Sequence, residues 1–290
     1  MAARDRDSAG TGGTTAARIA GRMALYAVLL FFSALFILPL LWMISTSLKE
    51  VTEAMRYPPT WFPERVRWQN YREVTRAIPF WAYAANTLTL CALNVAGTVL
   101  SSACVAYGFS RIKWPGRDRY FALTLATMMI PFPVLMVPLY ALFKSLGWIG
   151  TFMPLWVPSF FGAAYNIFLL RQFFMTIPRD LSEAAIVDGC GEFRIFWQMV
   201  LPLARPALMV VGLFCFMGVW NDFLGPLIYL TDARQFTLAL GLQQFQNRHG
   251  GTDISLVMAA ATLMVTPIIV LFFFTQKTFI EGISLTGLKL

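Results

Sequence analysis

Charge is scarce in this chain: Asp, Glu, Lys and Arg make up 13% of its 290 residues, about half the share of an average soluble domain. A protein wetted on all sides is hard to build from so few charges. There is one histidine, His249, which leaves a multi-histidine metal site or a Ser-His-Asp triad without its base, so no metal site and no catalytic residues are expected. The four cysteines, Cys91, Cys104, Cys190 and Cys215, lack the paired spacing of a disulfide frame or a zinc site. No G-x-x-x-x-G-K-[ST] phosphate loop occurs, so energy for any active process must come from another chain or from an ion gradient. A membrane-embedded enzyme would need His, Asp or Glu clustered at one depth, and no such cluster is present. The net charge of +8 comes without the basic-aromatic interleaving that grips phosphate backbones, so no nucleic-acid partner is expected.

Apolar side chains are abundant instead: 58% of residues are hydrophobic, 26 of them Phe, and the mean hydropathy is +0.62. They gather in six runs, at 24–45, 85–109, 120–143, 152–173, 206–230 and 254–276, each near the ~20 residues that cross a ~30 Å hydrocarbon core. The chain therefore reads as an all-α, polytopic membrane protein with six transmembrane helices in a lipid bilayer. The first run follows Arg18 and Arg22, is too long for a signal-peptide core and lacks a small-residue cleavage site, so it reads as a retained span. Residues 1–20, rich in Gly, Thr, Ala and alternating Arg and Asp, read as a disordered cytoplasmic tail. The remainder divides into 21–84, the first span with a long outer loop; 85–276, the transmembrane core; and 277–290, a cytoplasmic tail.

Positive charge sets the orientation. With the N-terminus inside, cytoplasmic segments hold Arg4, Arg6, Arg18, Arg22, then Arg111, Lys113, Arg117 and Arg119, then Arg171, Arg179, Arg194 and Arg205, and finally Lys277 and Lys289. The compact 111–119 cluster carries the assignment, because long loops weigh less in this rule.

Segment 178–206 interrupts the apolar pattern and then falls on the cytoplasmic side. A proline suited to a helix start precedes Arg179, and Gly189, free to take a left-handed turn, follows Asp188. A second piece, 192–201, lies between Gly191 and Pro202. Each piece is about ten residues, too short to be stable alone, so docking must supply its stability. Phe193, Phe196, Trp197 and Val200 give the second piece an apolar face, whereas Ala184 and Ala185 leave the first smooth. The pattern alone fits either a partner-docking site or a loop resting on the membrane surface.

Residue identities decide between these. Glu183-Ala184-Ala185, then Asp188-Gly189, Phe196, Leu201-Pro202 and Pro206 resemble the EAA loop of ATP-binding-cassette importer permeases, with Cys190 where the family usually has alanine. Trp68-Gln69-Asn70-Tyr71, Asn86-Thr87-Leu88, Trp220-Asn221-Asp222-Phe223 and the tail Gly282 to Lys289 are similar to the carbohydrate-uptake, maltose-type permease subunit whose C-terminal tail reaches the ATPase pair. The resemblance implies the type I importer fold with a cytoplasmic coupling helix. It also implies a second permease subunit, two ATPase subunits that hold ATP and Mg, a solute-binding protein and a sugar as cargo. Carried over, it gives ATPase docking to Glu183, Ala184, Ala185, Asp188 and Gly189, and a place beside the substrate path to Trp220, Asn221, Asp222 and Phe223. Tail contact falls to Gly287 and Lys289, although the ending departs from the family's usual one. A glycerol-phosphate or polyamine permease is the alternative within the class. A secondary transporter would place several ionisable groups or an inverted repeat in its spans, and this chain shows one such group, Asp222, and no evident repeat.

Polar residues inside the spans follow helical spacing. Gly218, Asn221, Asp222 and Gly225, at i, i+3, i+4 and i+7 of the fifth span, fall on one helical stripe that should face protein or water, and Asp222 there is either functional or a glue between helices. Thr87, Cys91, Asn94, Thr98 and Ser101 share a face of the second span, consistent with close packing or with a pore wall that includes Asn94. Pro131, Pro133 and Pro138 should break the third span, which then lines the transport route.

Overall fold

In the computed structural model, which describes residues 10–249 and 253–287, every regular element among the described residues is a helix. α1 (Gly10–Ser47) leads into a loop that carries α2 (Val51–Ala54) and α3 (Gln69–Ala77). α4 (Phe80–Ser110) is followed by α5 (Arg117–Ala126), α6 (Phe132–Ser145), α7 (Met153–Trp156) and α8 (Ala164–Thr176). The polar interruption carries α9 (Arg179–Val187), α10 (Glu192–Ile195) and α11 (Leu201–Leu203). Then follow α12 (Arg205–Trp220), α13 (Leu224–Tyr229), α14 (Leu238–His249) and α15 (Ile254–Gly287). Ile19–Ser47, Phe80–Ser110, Met153–Thr176 and Ile254–Gln276 are long and apolar enough to cross a membrane, and two bent helix pairs raise the number of spans to as many as six. The protein is a multi-pass membrane protein.

Both ends of the helical array run past the expected boundaries. α1 starts at Gly10, inside the segment that composition assigns to a disordered tail. Ala16, Ala17, Arg18 and Ala20 are strong helix formers, and extending an existing helix is far easier than nucleating one. Residues 1–9 lie outside the described residues. α15 likewise continues past 276 to Gly287, with no proline to stop it in that stretch.

Proline and glycine decide where the spans break. The third span bends by 97° between Arg117–Met129 and Phe132–Ser145, at Pro131, which cannot donate to the preceding turn; Pro138 is carried inside α6. In the fourth span, a 3₁₀ turn at Val157–Phe161 and Gly162 at φ +86° separate α7 from α8. The fifth span, expected as one helix over 206–230, is two. α12 is 16 residues, roughly 24 Å at 1.5 Å per residue, and the chain opens at Asn221–Phe223 before α13. The expected helical stripe of Gly218, Asn221, Asp222 and Gly225 is thereby interrupted. Pro226 lacks an N–H for a helix running through from α12, and the Asp222 carboxylate competes locally for backbone donors.

α4 is the central post. At its Ser110 end, Ala106, Tyr107 and Phe109 pack with Phe174, Ile195, Val200 and Val211; at its Phe80 end, Tyr83 and Cys91 pack with Trp220, Leu238 and Ala259. The small-polar face is used for packing. Thr87 Oγ1 accepts from Leu238 N at 2.9 Å, Cys215 Sγ donates to Thr98 Oγ1 at 3.5 Å, and Ser101 Oγ donates to the Ser159 carbonyl at 3.0 Å. A Cβ at Gly97 would stand 2.4 Å from both Ser159 Oγ and the Phe160 ring, so only glycine lets this turn lie on α4 so closely. None of the most apolar window of α1 is buried. Its Ser47 end is held by Asn70, whose amide donates to the carbonyls of Ser47 (2.8 Å) and Lys49 (2.9 Å).

Candidate functional site

Pro178 presets an extended approach to α9, Arg179 opens it, and Asp180 sits in its first turn, where a carboxylate complements the helix dipole. The helix ends in a Schellman turn. Gly189, at φ +79°, donates to the Ile186 carbonyl, and Cys190 donates to the Ala185 carbonyl, both at 2.9 Å. Nothing stands within 4 Å of a Cβ built on Gly189, so the backbone angle alone demands glycine there. Glu183, Ala184, Asp188 and Gly189 are exposed together, with Val187 at 88% and Ile186 at 53% exposure; Ala185 is the buried member, facing the protein.

The second piece departs from expectation. α10 passes into a π-turn at Phe196–Val200 and then α11, and this arm meets α12 at 77°. Pro202 offers no N–H to the preceding turn, and the wider i→i+5 register accommodates the break. Ile195 and Val200, five apart, are each 1% exposed, and Phe196 is buried against the Tyr107 ring at 4.9 Å. Phe193 and Trp197, expected on the same apolar face, point outward and stack on each other at 6.3 Å.

Two residues that sequence reasoning missed hold this helical pair to α4. Arg111, the first residue beyond α4, donates to the Ile177 carbonyl (2.9 Å), the Pro178 carbonyl (3.2 Å) and Ser182 Oγ (3.3 Å). Burial pushes its guanidinium pKa down, and the nearby Arg179 adds to this, opposed by Tyr107 and Glu192. Tyr107, one turn earlier on α4, donates to the Glu192 carboxylate at the start of α10. The signal in the sequence was the i, i+4 pair itself; Arg111 reads there only as one charge of an orientation cluster.

The other candidate residues fall into two groups. Trp220 is 1% exposed, stacks on Phe216 and donates its indole N–H to the Met264 carbonyl at 3.1 Å, so it braces α12 against α15. Asn94 is buried, with its amide donating to the carbonyls of Leu90 (2.9 Å) and Leu155 (3.0 Å); both of its amide hydrogens are used in packing. Asn221 is exposed, and Asp222 and Phe223 are half-buried at the break. Asp222 Oδ1 accepts from Gly225 N at 3.0 Å, which caps α13 in the manner of an N-terminal Asx residue. Gly287 is the last residue of α15, and Lys289 lies outside the described residues. No group of three or more His, Cys, Asp or Glu that could hold a metal occurs among the described residues.

Comparison with known proteins bears on this geometry. Residues 97–284, the stretch from mid-α4 almost to the end of α15, match the family described as binding-protein-dependent transport system inner membrane component. The arabinooligosaccharides transport system permease protein AraQ of Halalkalibacterium halodurans is 32% identical over 262 residues, covering 89% of this chain and 93% of that one. The trehalose/maltose transport system permease protein MalG of Thermococcus litoralis is 30% identical, covering 91% and 94%. The diacetylchitobiose uptake system permease protein DasC of Streptomyces coelicolor is 28% identical, covering 91% and 95%. Among solved structures, a chain of a bacterial ABC transporter that imports the acidic polysaccharide alginate superposes with a TM-score of 0.77 at 23% identity, over 90% of this chain and 96% of that one. At that identity the match speaks for the fold.

Proposed function

The chain belongs to the binding-protein-dependent transport system inner membrane components, and from that premise we propose that it is the permease subunit of an ATP-driven importer that admits a sugar, as a mono-, di- or oligosaccharide. The observation that carries the reading is the exposed α9 turn, ended by Gly189 and bound by Arg111 to α4. In this reading the N-terminus and the α9 turn face the cytoplasm, and each of two ATPase subunits receives one such helix. ATP and Mg are held on those subunits, and no bond is made or broken on this chain. Glu183 and Asp188 make the polar contacts, Ala184 permits close approach, and Gly189 fixes the angle between α9 and α10. A second permease subunit completes the pore, an external solute-binding protein delivers the cargo, and the tail at Gly287 and Lys289 reaches the ATPases.

Closure of the ATPase pair would move α9 as a lever. Three hydrogen bonds from Arg111 and the Tyr107–Glu192 contact carry that displacement into α4, and α4 is packed on both α8 and α12. Asn221 and Phe223, at the opening of the fifth span, border the route. Named relatives handle arabinooligosaccharides, trehalose/maltose and diacetylchitobiose, which supports a hydroxyl-rich cargo. The test is ATP hydrolysis by the reconstituted complex with its binding protein, across mono-, di- and oligosaccharides, glycerol phosphates and polyamines. Stimulation by a saccharide is expected; stimulation by a glycerol phosphate or polyamine alone would overturn the cargo assignment, and uptake without ATP would overturn the mechanism.

A further inference from the structure

The elbow between α4 and α5 leaves an open, solvent-facing cavity of about 640 Å³ lined by Lys113, Trp114, Arg117, Asp118, Arg119 and Arg179, all but Arg117 exposed. Four cations therefore face one carboxylate, and that carboxylate is already engaged: Asp118 Oδ1 takes Arg117 Nε at 3.2 Å and Arg171 Nη2 at 3.6 Å. Lys113, Arg119 and Arg179 make no ion pair among the described residues. Acidic groups nearby on α9 and α10 do not line the cavity: Glu192, taken by Tyr107, and Glu183 border the adjoining groove, which Lys113 and Arg179 share, whereas Arg119 faces this one alone. Gly116, at φ +84°, turns the chain so that both sides of the elbow face the cavity.

The place of the cavity is as telling as its charge. It joins Phe80–Ser110, long and apolar enough to cross a membrane, to Arg117–Met129, the first half of a bent pair that is so only together with Phe132–Ser145, which puts it at the end of a span, the depth at which headgroups meet hydrocarbon. Trp114 and Tyr120, with rings 5.7 Å apart, flank it in the manner of the aromatic belts at membrane interfaces. Basic pockets between spans at this depth suit phosphate-bearing headgroups, and guanidinium groups bind phosphate oxygens in pairs.

We propose that this elbow is a binding site for the phosphate headgroup of an anionic phospholipid. Arg179 opens α9, whereas Lys113 and Arg119 belong to the elbow, so a headgroup between them ties the lever to the membrane surface. The part of this that concerns the lever rests on the function proposed above; the binding itself does not.

The test uses the complete importer in nanodiscs of phosphatidylcholine with rising phosphatidylglycerol, reading retained lipid by native mass spectrometry. Lys113→Gln, Arg119→Gln and Arg179→Gln should each weaken phosphatidylglycerol retention about fivefold, since one basic residue contributes on the order of 1 kcal/mol at an anionic surface. Lys144→Gln, an exposed cation at the far end of α6, should change nothing. Retention by the triple variant equal to wild type would overturn the site. So would displacement of the lipid by millimolar inorganic phosphate, which would mark a free-anion site, or release of the ATPase subunits by the triple variant in lipid-free detergent, which would mark a protein-facing surface. Loss of lipid with saccharide-stimulated ATP hydrolysis intact would support the binding site while denying it a part in coupling. Failure of sugar uptake in the wild type would bear on the proposed function alone.

Discussion

The Arg111 guanidinium, one residue past the end of α4, donates to the carbonyl of Pro178, one residue before the start of α9, at 3.2 Å. The end of one helix is thus fastened to the beginning of another, 67 positions away in sequence, and the link is a side chain rather than the connecting chain.

That link predicts a separation of two activities. Arg111→Lys keeps the charge but loses the planar fork, and each hydrogen bond from a charged donor is worth roughly 1.5–3 kcal/mol, about tenfold or more in the docked population. Basal ATP hydrolysis by the assembled complex should persist while uptake per ATP falls about tenfold. Parallel assays on proteoliposomes check this, and an unchanged ratio would remove Arg111 from the transmission.

Gly189→Val tests the turn. A β-branched residue at φ +79° carries a strain of about 1–3 kcal/mol, with no neighbour in its way. Insertion into the membrane should be normal, with the ATPase subunit released or its hydrolysis uncoupled. Gly189→Asn should be tolerated, because asparagine accepts the left-handed conformation. Co-purification of the ATPase subunit with each variant gives the answer.

Asp222 separates charge from capping. Asp222→Asn keeps an acceptor for Gly225 N and should retain uptake and thermal stability, whereas Asp222→Ala should lose about 0.5–2 kcal/mol, the usual worth of such a cap. A complete loss of uptake in the asparagine variant, with unaltered melting, would give the charge itself a role in transport.

Asn70→Ala should loosen the loop between α1 and α4. The substitution leaves the carbonyls of Ser47 and Lys49 without their donor, a cost of about 1–3 kcal/mol for buried groups. Faster proteolytic cleavage within 49–68, with the spans intact, is the expected outcome.

Much of this was legible in the sequence because single residues force it. Pro131 bends the third span, Gly189 permits the Schellman motif, and the apolar runs have the length that a bilayer requires. Where the sequence reading fell short, two local effects were responsible. Asp222 reads as a member of a helical stripe, yet its short carboxylate binds the backbone three residues on and breaks the helix that the stripe presupposes. Phe193 and Trp197 read as part of the buried face, yet the π-turn shifts the inward positions to Ile195 and Val200. Trp220 and Asn94 matched a motif and a polar face, but their partners, the Met264 and Leu155 carbonyls, lie on other helices, and nothing local in the chain announces them. Arg111 was hidden among charges of the same sign.

The glycine at position 97 has a mechanical corollary. With the 157–161 turn pressed against α4 at a spacing that leaves no room for a methyl group beside the Ser159 and Phe160 side chains, any larger residue at position 97 would have to wedge these two segments apart. The looser seams lie elsewhere, at the bend before Pro131, the gap after Trp220 and the corner at Ala204, where neighbouring turns have already come apart, and the proposed movement of the spans would find its hinges there.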